Sequence, residues 1–261
     1  MAETVPCGQC GALVPSDHQF CGQCGATTAA GGPLTTGSQR AVETPCPRLV
    51  LIRGEGVDGT SFRLEGAEYS CGRTSGDIRF PQDVFLSPRH ATFLHQNGRL
   101  FVRDDGSLNG LYIRIRGTIS LSPGSIFMAG EQILVVETAD PGGQMVANDQ
   151  THFFASPRPG RPWRLRQVLE SGRPGLCHYV RGDRVSIGRD GCDLDFGDDR
   201  FISGRHCQVD FAIGAISLTD LDSRNGSYLR VSGTRELNHG DYIFLGKQLL
   251  RVEMPGKGKA A

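Results

Sequence analysis

The chain has 261 residues, enough for two ordinary domains of about 100 to 150 residues each with tails. Its 28 lysines and arginines balance 28 aspartates and glutamates, so the molecule as a whole offers no positive face to nucleic acid or a membrane. The 36 glycines, together with the lack of a long amphipathic helical run, predict an all-β chain of short strands and tight turns.

The N-terminal sequence MAETVPCGQC has neither the charged start nor the apolar core of a secretory signal. No stretch of about 18 apolar residues occurs, so we expect a cytoplasmic protein without membrane contact. Five of the nine cysteines are scattered without a pairing pattern, as is typical of free thiols in a reducing compartment. These five are Cys46, Cys71, Cys177, Cys192 and Cys207.

Residues 1–26 contain the motif CGQCG twice, beginning at Cys7 and at Cys21. The cysteines Cys7, Cys10, Cys21 and Cys24 thus form two C-x2-C pairs separated by ten residues. Four thiolates on two tight turns can enclose one tetrahedral Zn²⁺, whose binding would supply the folding energy of so short a segment. The segment resembles a bacterial-type zinc ribbon, which implies one structural zinc ion and contacts with protein or nucleic acid. Two disulfides, a redox C-x2-C and a ligand role for His18 are the alternatives.

Two segments, residues 27–47 and 139–162, are small, polar and proline-bearing, and we interpret them as flexible linkers. Phe153 and Phe154 interrupt the second linker and are candidates for docking on a neighbouring domain. Phosphorylation of Thr35, Thr36 or Thr44 in the first linker, followed by binding within the same molecule, is a further hypothesis. Residues 255–261 form a tail.

The main part of the chain is an internal repeat. Residues 72–137 align with residues 188–253 without a gap, at the constant offset of 116 that separates Gly72 from Gly188. Within each copy, alternating β-rich runs are separated by Gly, Asp, Asn, Ser or Pro turns. The sequence therefore predicts two antiparallel β-sandwiches, residues 48–138 and 163–254, with their loops collected at the ends.

Three turns in each copy carry matched polar residues, in the order GR, S-x-R-H and S-x-N-G. Their joint occurrence, twice over, resembles the forkhead-associated (FHA) domain, which binds phosphothreonine peptides. The resemblance assigns peptide binding to Arg73, Ser87 and Asn109 in the first copy and to Arg189, Ser203 and Asn225 in the second. It assigns support of the binding loops to Gly72, His90, Gly110, Gly188, His206 and Gly226. Arg89, Arg205 and Arg224 are further candidate phosphate contacts.

The residue types suit that chemistry. An arginine guanidinium can hold two phosphate oxygens, while a serine hydroxyl and backbone N–H groups complete the cradle. An asparagine amide can hold the backbone of an extended peptide. Leu108 and Arg224 occupy equivalent positions before the motif asparagines, so we expect tighter phosphopeptide binding in the second copy. A mainly structural or docking role is the alternative for the first copy.

We therefore expect a non-catalytic adaptor whose partners carry phosphothreonine and are Ser/Thr kinases or their substrates. A hydrolase is disfavoured because a serine three residues before a histidine on one loop is not a nucleophile–base arrangement, and no G-x-S-x-G motif occurs. The alternative function is a nucleic-acid-associated factor that uses the ribbon, with the sandwiches as docking or oligomerisation modules. Residues 1–25 contain no lysine or arginine, which argues against nucleic acid as the partner.

Overall fold

The computed structural model describes residues 4–7, 11–15, 46–53, 56, 58–139, 146–154, 156 and 161–255. The chain divides into two compact units, Met1–Pro45 and Cys46–Ala261. The described residues form β-strands and short 3-10 turns such as Glu170–Gly172, with no α-helix, which confirms the all-β prediction. Within these ranges, no helix is long and apolar enough to cross a membrane.

The described part of the first unit is a small hairpin. Strand β1 (Thr4–Pro6) pairs antiparallel with β2 (Leu13–Pro15). Cys7 is buried beside Val14, and its carbonyl accepts a hydrogen bond of 2.9 Å from the N–H of Gly11. Gly11 has a φ of 72°, which this tight turn requires and glycine adopts without strain. The other three predicted zinc ligands (Cys10, Cys21 and Cys24) and His18 lie outside the described residues, so the zinc ribbon stays a prediction.

The second unit contains the strands of both repeat copies. The first copy forms β3 (Arg48–Ile52), β4 (Asp58–Arg63), β5 (Glu68–Gly72), β6 (Ile78–Arg79), β7 (Ala91–Gln96), β8 (Arg99–Asp104), β9 (Leu111–Arg114), β10 (Thr118–Leu121), β11 (Ile126–Ala129) and β12 (Gln132–Thr138). The second copy forms β13 (Trp163–Val168), β14 (Pro174–Tyr179), β15 (Arg184–Gly188), β16 (Leu194–Asp195), β17 (Arg205–Ala212), β18 (Ala215–Asp220), β19 (Ser227–Arg230), β20 (Thr234–Leu237), β21 (Tyr242–Leu245) and β22 (Gln248–Glu253).

These strands form one long sheet and two short ones. The long sheet has the order β14-β13-β12-β11-β19-β9-β21-β22-β3-β4. The short sheets have the orders β20-β8-β7-β5-β6 and β10-β18-β17-β15-β16. Each short sheet shares a core of buried apolar side chains with one half of the long sheet. Two sandwiches result, which we call the first sandwich (β3–β9 with β20–β22) and the second sandwich (β10–β19).

The two copies exchange their last three strands. Strand β20 of the second copy pairs with β8 of the first, and β10 of the first copy pairs with β18 of the second. Leu237, Ile243 and Leu250 of the second copy are accordingly buried in the first core with Leu49 and Phe93. The predicted ranges 48–138 and 163–254 describe the sequence repeat, whereas each sandwich takes strands from both ranges.

The repeat itself explains why such an exchange is possible. Because the copies match at equivalent strand positions, each core accepts the terminal strands of either copy at similar free energy, as in domain swapping. Residues 115–117 and 231–233 carry the chain across between the sandwiches. Strands β9 and β19 meet antiparallel in the middle of the long sheet, where Ile113 is the register partner of Leu229. An approximate twofold axis therefore passes between these two strands.

Two of the predicted free thiols belong to the cores. Cys71 is fully buried in the first sandwich, and Cys207 is fully buried in the second. Burial raises the pKa of each thiol to about 12, because the charged thiolate would lose its hydration. Both side chains therefore act as small apolar groups at neutral pH.

Candidate functional site

The predicted site residues form two equivalent loop clusters, one on each sandwich. The first site consists of Arg73, Ser87, Arg89 and Asn109. The second site consists of Arg189, Ser203, Arg205, Arg224 and Asn225. The motif serine lies on the serine loop, residues 80–90 or 196–204, and the motif asparagine lies on the asparagine loop, residues 105–110 or 221–226. In each site, the arginine after strand β5 or β15 contacts the serine loop through its backbone. The N–H of Arg73 donates to the carbonyl of Ser87 at 2.9 Å, and the N–H of Arg189 donates to the carbonyl of Ser203 at 3.0 Å.

The glycine before each arginine lets these two loops touch. A Cβ atom at Gly72 would lie 2.2 Å from the carbonyl oxygen of Pro88, and one at Gly188 would lie 2.1 Å from that of Gly204. Both obstacles are backbone atoms of the serine loop. Any larger residue would therefore push the serine loop away from the arginine.

The motif serines join the serine loop to the asparagine loop. The Oγ of Ser87 accepts a hydrogen bond of 3.1 Å from the N–H of Leu108, and the Oγ of Ser203 accepts one of 3.1 Å from the N–H of Arg224. A hydroxyl that accepts in this way still has its own proton to donate. Each serine is thus held in place with a donor left for a ligand.

The motif asparagines are fixed through their amide nitrogens. The Nδ2 of Asn109 donates to the carbonyl of Phe85 at 2.8 Å, and the Nδ2 of Asn225 donates to the carbonyl of Phe201 at 2.7 Å. The Oδ1 atoms accept no hydrogen bond from the described residues. Each asparagine therefore presents a carbonyl oxygen that can accept from a peptide N–H.

Each asparagine turn is closed by a buried serine and a half-buried aspartate that the sequence analysis did not assign to the site. Ser107 donates to Asp104 at 3.1 Å and accepts from the N–H of Gly110 at 3.0 Å. Ser223 makes the equivalent hydrogen bonds to Asp220 and Gly226. Identity between the two copies at these positions was the signal that could have identified them.

The motif histidines lie beneath the loops. The Nδ1 of His90 accepts from the N–H of Ser87 at 3.2 Å, and its Nε2 donates to the carbonyl of Gly110 at 3.0 Å. His206 connects Ser203 and Gly226 in the same way. Burial lowers the pKa of both histidines, although the hydrogen bond to the glycine carbonyl opposes this effect. Both rings are therefore neutral, with the proton on Nε2.

The arginines of the two sites are held differently. The side chain of Arg73 is half-buried, and its Nε has no hydrogen-bond partner among the described residues. Arg189 is exposed and forms no ion pair with a described carboxylate. Arg89 pairs with Asp105 at 2.8 Å, whereas Leu221 occupies the equivalent position beside Arg205. Arg205 and Arg224 also make no ion pair with a described carboxylate, so the second site has more uncommitted positive charge.

Each serine loop rests on a hairpin that comes from the opposite copy. Asp83 accepts hydrogen bonds of 2.7 Å from the N–H of Lys247 and from the Nε2 of Gln248. At the second sandwich, Asp199 accepts hydrogen bonds of 2.8 Å from the N–H of Glu131 and from the side chain of Gln132. Both aspartates are buried. The strand exchange thus brings residues of one copy to the binding loops of the other.

No group of histidine, cysteine, aspartate or glutamate side chains within the described ranges is arranged to hold a metal ion. Of the predicted zinc ligands, Cys7 lies at the end of a tight turn, as a C-x2-C pair requires. The other three predicted ligands lie outside the described residues, so the zinc site stays a prediction.

A model of the FHA domain family matches residues 69–130 and 185–246. An oxoglutarate dehydrogenase inhibitor of Corynebacterium diphtheriae is 35% identical over 110 residues, which cover 41% of this chain and 76% of that protein. The glycogen accumulation regulator GarA of Mycobacterium tuberculosis is 35% identical over 86 residues, covering 31% of this chain and 53% of that protein. This chain therefore spans about half the length of GarA.

Among solved structures, one from an analysis of phosphothreonine-dependent FHA domain interactions is 27% identical. The match covers 33% of this chain and 88% of that chain, with a TM-score of 0.19. A score of this size supports no argument about the arrangement of the strands, which rests on the pairing described above.

Proposed function

The chain belongs to the FHA-domain family, and on that premise we propose that it is a non-catalytic adaptor that binds phosphothreonine peptides at both sites. The observation that carries this proposal is the shared geometry of the two motif serines. Each serine accepts a backbone hydrogen bond from the asparagine loop and keeps its own proton for a ligand oxygen. The asparagine lies on the loop that this hydroxyl contacts, and the N–H of the arginine donates to the carbonyl of the same serine.

The proposed binding mode divides the ligand between these groups. The guanidinium of Arg73 or Arg189 and the serine hydroxyl hold the phosphate dianion through charge-assisted hydrogen bonds. The Oδ1 of Asn109 or Asn225 accepts from the backbone of the extended peptide. Arg205 and Arg224 add charge to the second site, so we expect this site to bind phosphopeptide more tightly than the first.

The histidines support a binding role over catalysis. In both sites the ring nitrogens contact a backbone N–H and a backbone carbonyl, and neither contacts the serine Oγ. A general base for a serine nucleophile must accept the proton of that hydroxyl. The histidine therefore positions the serine loop and does not activate the serine.

We further propose that the partners are Ser/Thr kinases or their substrates in the cytoplasm. The relatives named as an inhibitor and a regulator support this proposal, because a protein that binds a phosphorylated segment of an enzyme can alter that enzyme's activity. The peptide sequences that the two sites select would identify the enzyme that this chain regulates.

A titration of the full chain with a phosphothreonine peptide library tests the adaptor function. We expect binding that is lost with unphosphorylated peptides and that Arg189→Ala weakens by at least about tenfold, since a charged hydrogen bond contributes about 1.5–3 kcal/mol. Arg181→Ala is the matched control, because Arg181 is also exposed and makes no ion pair with a described carboxylate. Equal binding of phosphorylated and unphosphorylated peptides would rule the function out.

We also propose that Cys7, Cys10, Cys21 and Cys24 bind one structural zinc ion in a ribbon that contacts a protein partner. Four thiolates leave no open position for a substrate, so the ion would stabilise the fold of this segment. Metal analysis of the purified chain should give one zinc per chain, and Cys21→Ser with Cys24→Ser should remove it. Zinc that persists in this double variant would disprove the site.

A further inference from the structure

A groove of about 340 Å³ lies beside the first site. Its lining includes Arg79, Val84 and Phe85 of the first copy and Lys247 of the second. The carbonyl of Phe85 also accepts the hydrogen bond from Asn109 that fixes the asparagine of the site. The groove therefore borders the residue that we expect to hold the peptide backbone.

The groove has an apolar wall and two cations. Val84 is 71% exposed and Phe85 is 45% exposed, so both side chains are open to a ligand. The Nζ of Lys247 lies 4.6 Å from the centroid of the Phe85 ring. Neither Arg79 nor Lys247 forms an ion pair with a carboxylate in the described part of the chain. Their charges are therefore available to a side chain of a bound peptide.

The carboxylate of Asp83 does not cancel this charge at the surface. Asp83 is buried, and its carboxylate accepts from the N–H of Phe85, the N–H of Lys247 and the Nε2 of Gln248. Asp199 occupies the same place in the second sandwich with equivalent donors. This buried charge is common to both sites and produces no difference between them.

The equivalent surface of the second site carries the opposite charge. Asp195 stands at the position of Arg79, and Glu131 stands at the position of Lys247. Asp198 adds a third carboxylate, and Arg200 stacks over the ring of Phe201 at 5.9 Å. Two cations beside the first site thus correspond to three carboxylates and one arginine beside the second.

We propose that the two sites select opposite peptides: the first site takes phosphothreonine peptides with a flanking acidic side chain, and the second takes peptides with a flanking basic side chain. This inference rests on the proposed phosphothreonine binding. Lys247 belongs to the second copy and Glu131 to the first, so each copy sets the charge preference of the phosphate site on the other. The chain would accordingly join two partners with differently charged phosphorylated segments.

The test uses the full chain with one site disabled at a time. In the Arg189→Ala protein only the first site can bind phosphopeptide, and in the Arg73→Ala protein only the second site can. Each protein is titrated with one phosphothreonine peptide in which Asp, Ala or Arg replaces each flanking residue in turn. We expect the first site to prefer the best acidic peptide over its basic counterpart by about fivefold, and the second site to show the reverse, since exposed charge pairs contribute up to about 1 kcal/mol each.

Charge reversal then assigns the preference to single residues. Lys247→Glu should abolish the acidic preference in the Arg189→Ala protein and leave the Arg73→Ala protein unchanged. Glu131→Lys should act only in the Arg73→Ala protein. Arg181→Glu, at an exposed position that does not line the groove, controls for the change in net charge that Lys247→Glu makes.

The outcomes separate the two proposals. Phosphate-dependent binding without a charge preference would overturn this inference and leave the adaptor function intact. If Lys247→Glu changed binding only at the second site, the assignment of Lys247 to the first site would be overturned. Absence of phosphate-dependent binding in every protein would overturn the adaptor function and this inference together.

Discussion

His90 and His206 show how a single buried side chain can fix the shape of the exposed loops above it. Each ring joins the serine loop to the asparagine turn, and each must be neutral for Nδ1 to accept a hydrogen bond. The family resemblance predicted a supporting role for these residues. The contributions of Ser107 and Ser223 were not predicted, because a serine in a turn is common and its hydrogen bonds depend on a backbone geometry that the sequence does not specify.

The lowered pKa values of the two histidines predict a loss of stability in mild acid. Burial holds the pKa of each ring below its ordinary value of 6.5, so the unfolded chain takes up protons that the folded chain does not. The free energy of unfolding is therefore at its full value above about pH 6.5, and it decreases as the pH falls below that value. Between about pH 7.5 and 5.5, protonation of the unfolded chain should therefore lower the free energy of unfolding.

Urea unfolding at the two pH values measures this effect. His206→Gln removes one titrating ring and should reduce the pH dependence by about half, whatever its effect on stability at neutral pH. His178→Gln is the control, because His178 lies outside the loops. A pH dependence that is the same in His206→Gln and in the unmodified chain would contradict the neutral buried ring.

At the scale of strands, the exchange makes each binding loop depend on the opposite copy. The carboxylate of Asp199 accepts from Glu131 and Gln132 across the exchange and from the N–H groups of Phe201 and Ile202 within its own loop. Four donors on one buried carboxylate hold the exchanged hairpin against the serine loop. Asp83 has the same position in the first sandwich.

Asp199→Ala should therefore destabilise the second sandwich by about 3 kcal/mol, since several buried donors lose their acceptor together. The variant should also weaken phosphopeptide binding in the Arg73→Ala protein, where only the second site remains. Chemical denaturation and peptide titration measure the two effects. Asp198→Ala, at an exposed neighbouring position, should change stability by less than about 0.5 kcal/mol. Equal stability of the two variants would contradict the anchoring role of Asp199.

The strands and loop motifs were predictable from the sequence, but their pairing across copies was not. Alternation of apolar and polar residues predicted an all-β fold, and the offset of 116 residues predicted two equivalent sites. Strands β10 and β20 both bury their final leucine, Leu121 or Leu237, so this signal in the sequence does not specify which copy each strand joins. The position of Lys247 beside Phe85 follows from that pairing and could not be predicted without it.

At the scale of the whole molecule, the two sites belong to one compact unit whose halves share a central pair of strands. Two phosphothreonines on one partner, at a suitable spacing, would bind with an avidity greater than either site alone provides. Opposite charge preferences would favour a partner with two different phosphorylated segments, or two different partners. Occupancy of both sites is the claim on which this account depends.

Isothermal titration calorimetry of the full chain with its preferred phosphothreonine peptides tests that claim most directly. The account predicts two bound peptides per chain, one after either Arg73→Ala or Arg189→Ala, and none after both substitutions together. Circular dichroism of the double variant should match that of the unmodified chain, since neither guanidinium forms an ion pair with a described carboxylate. Peptide binding that persists undiminished in the folded double variant would contradict the account.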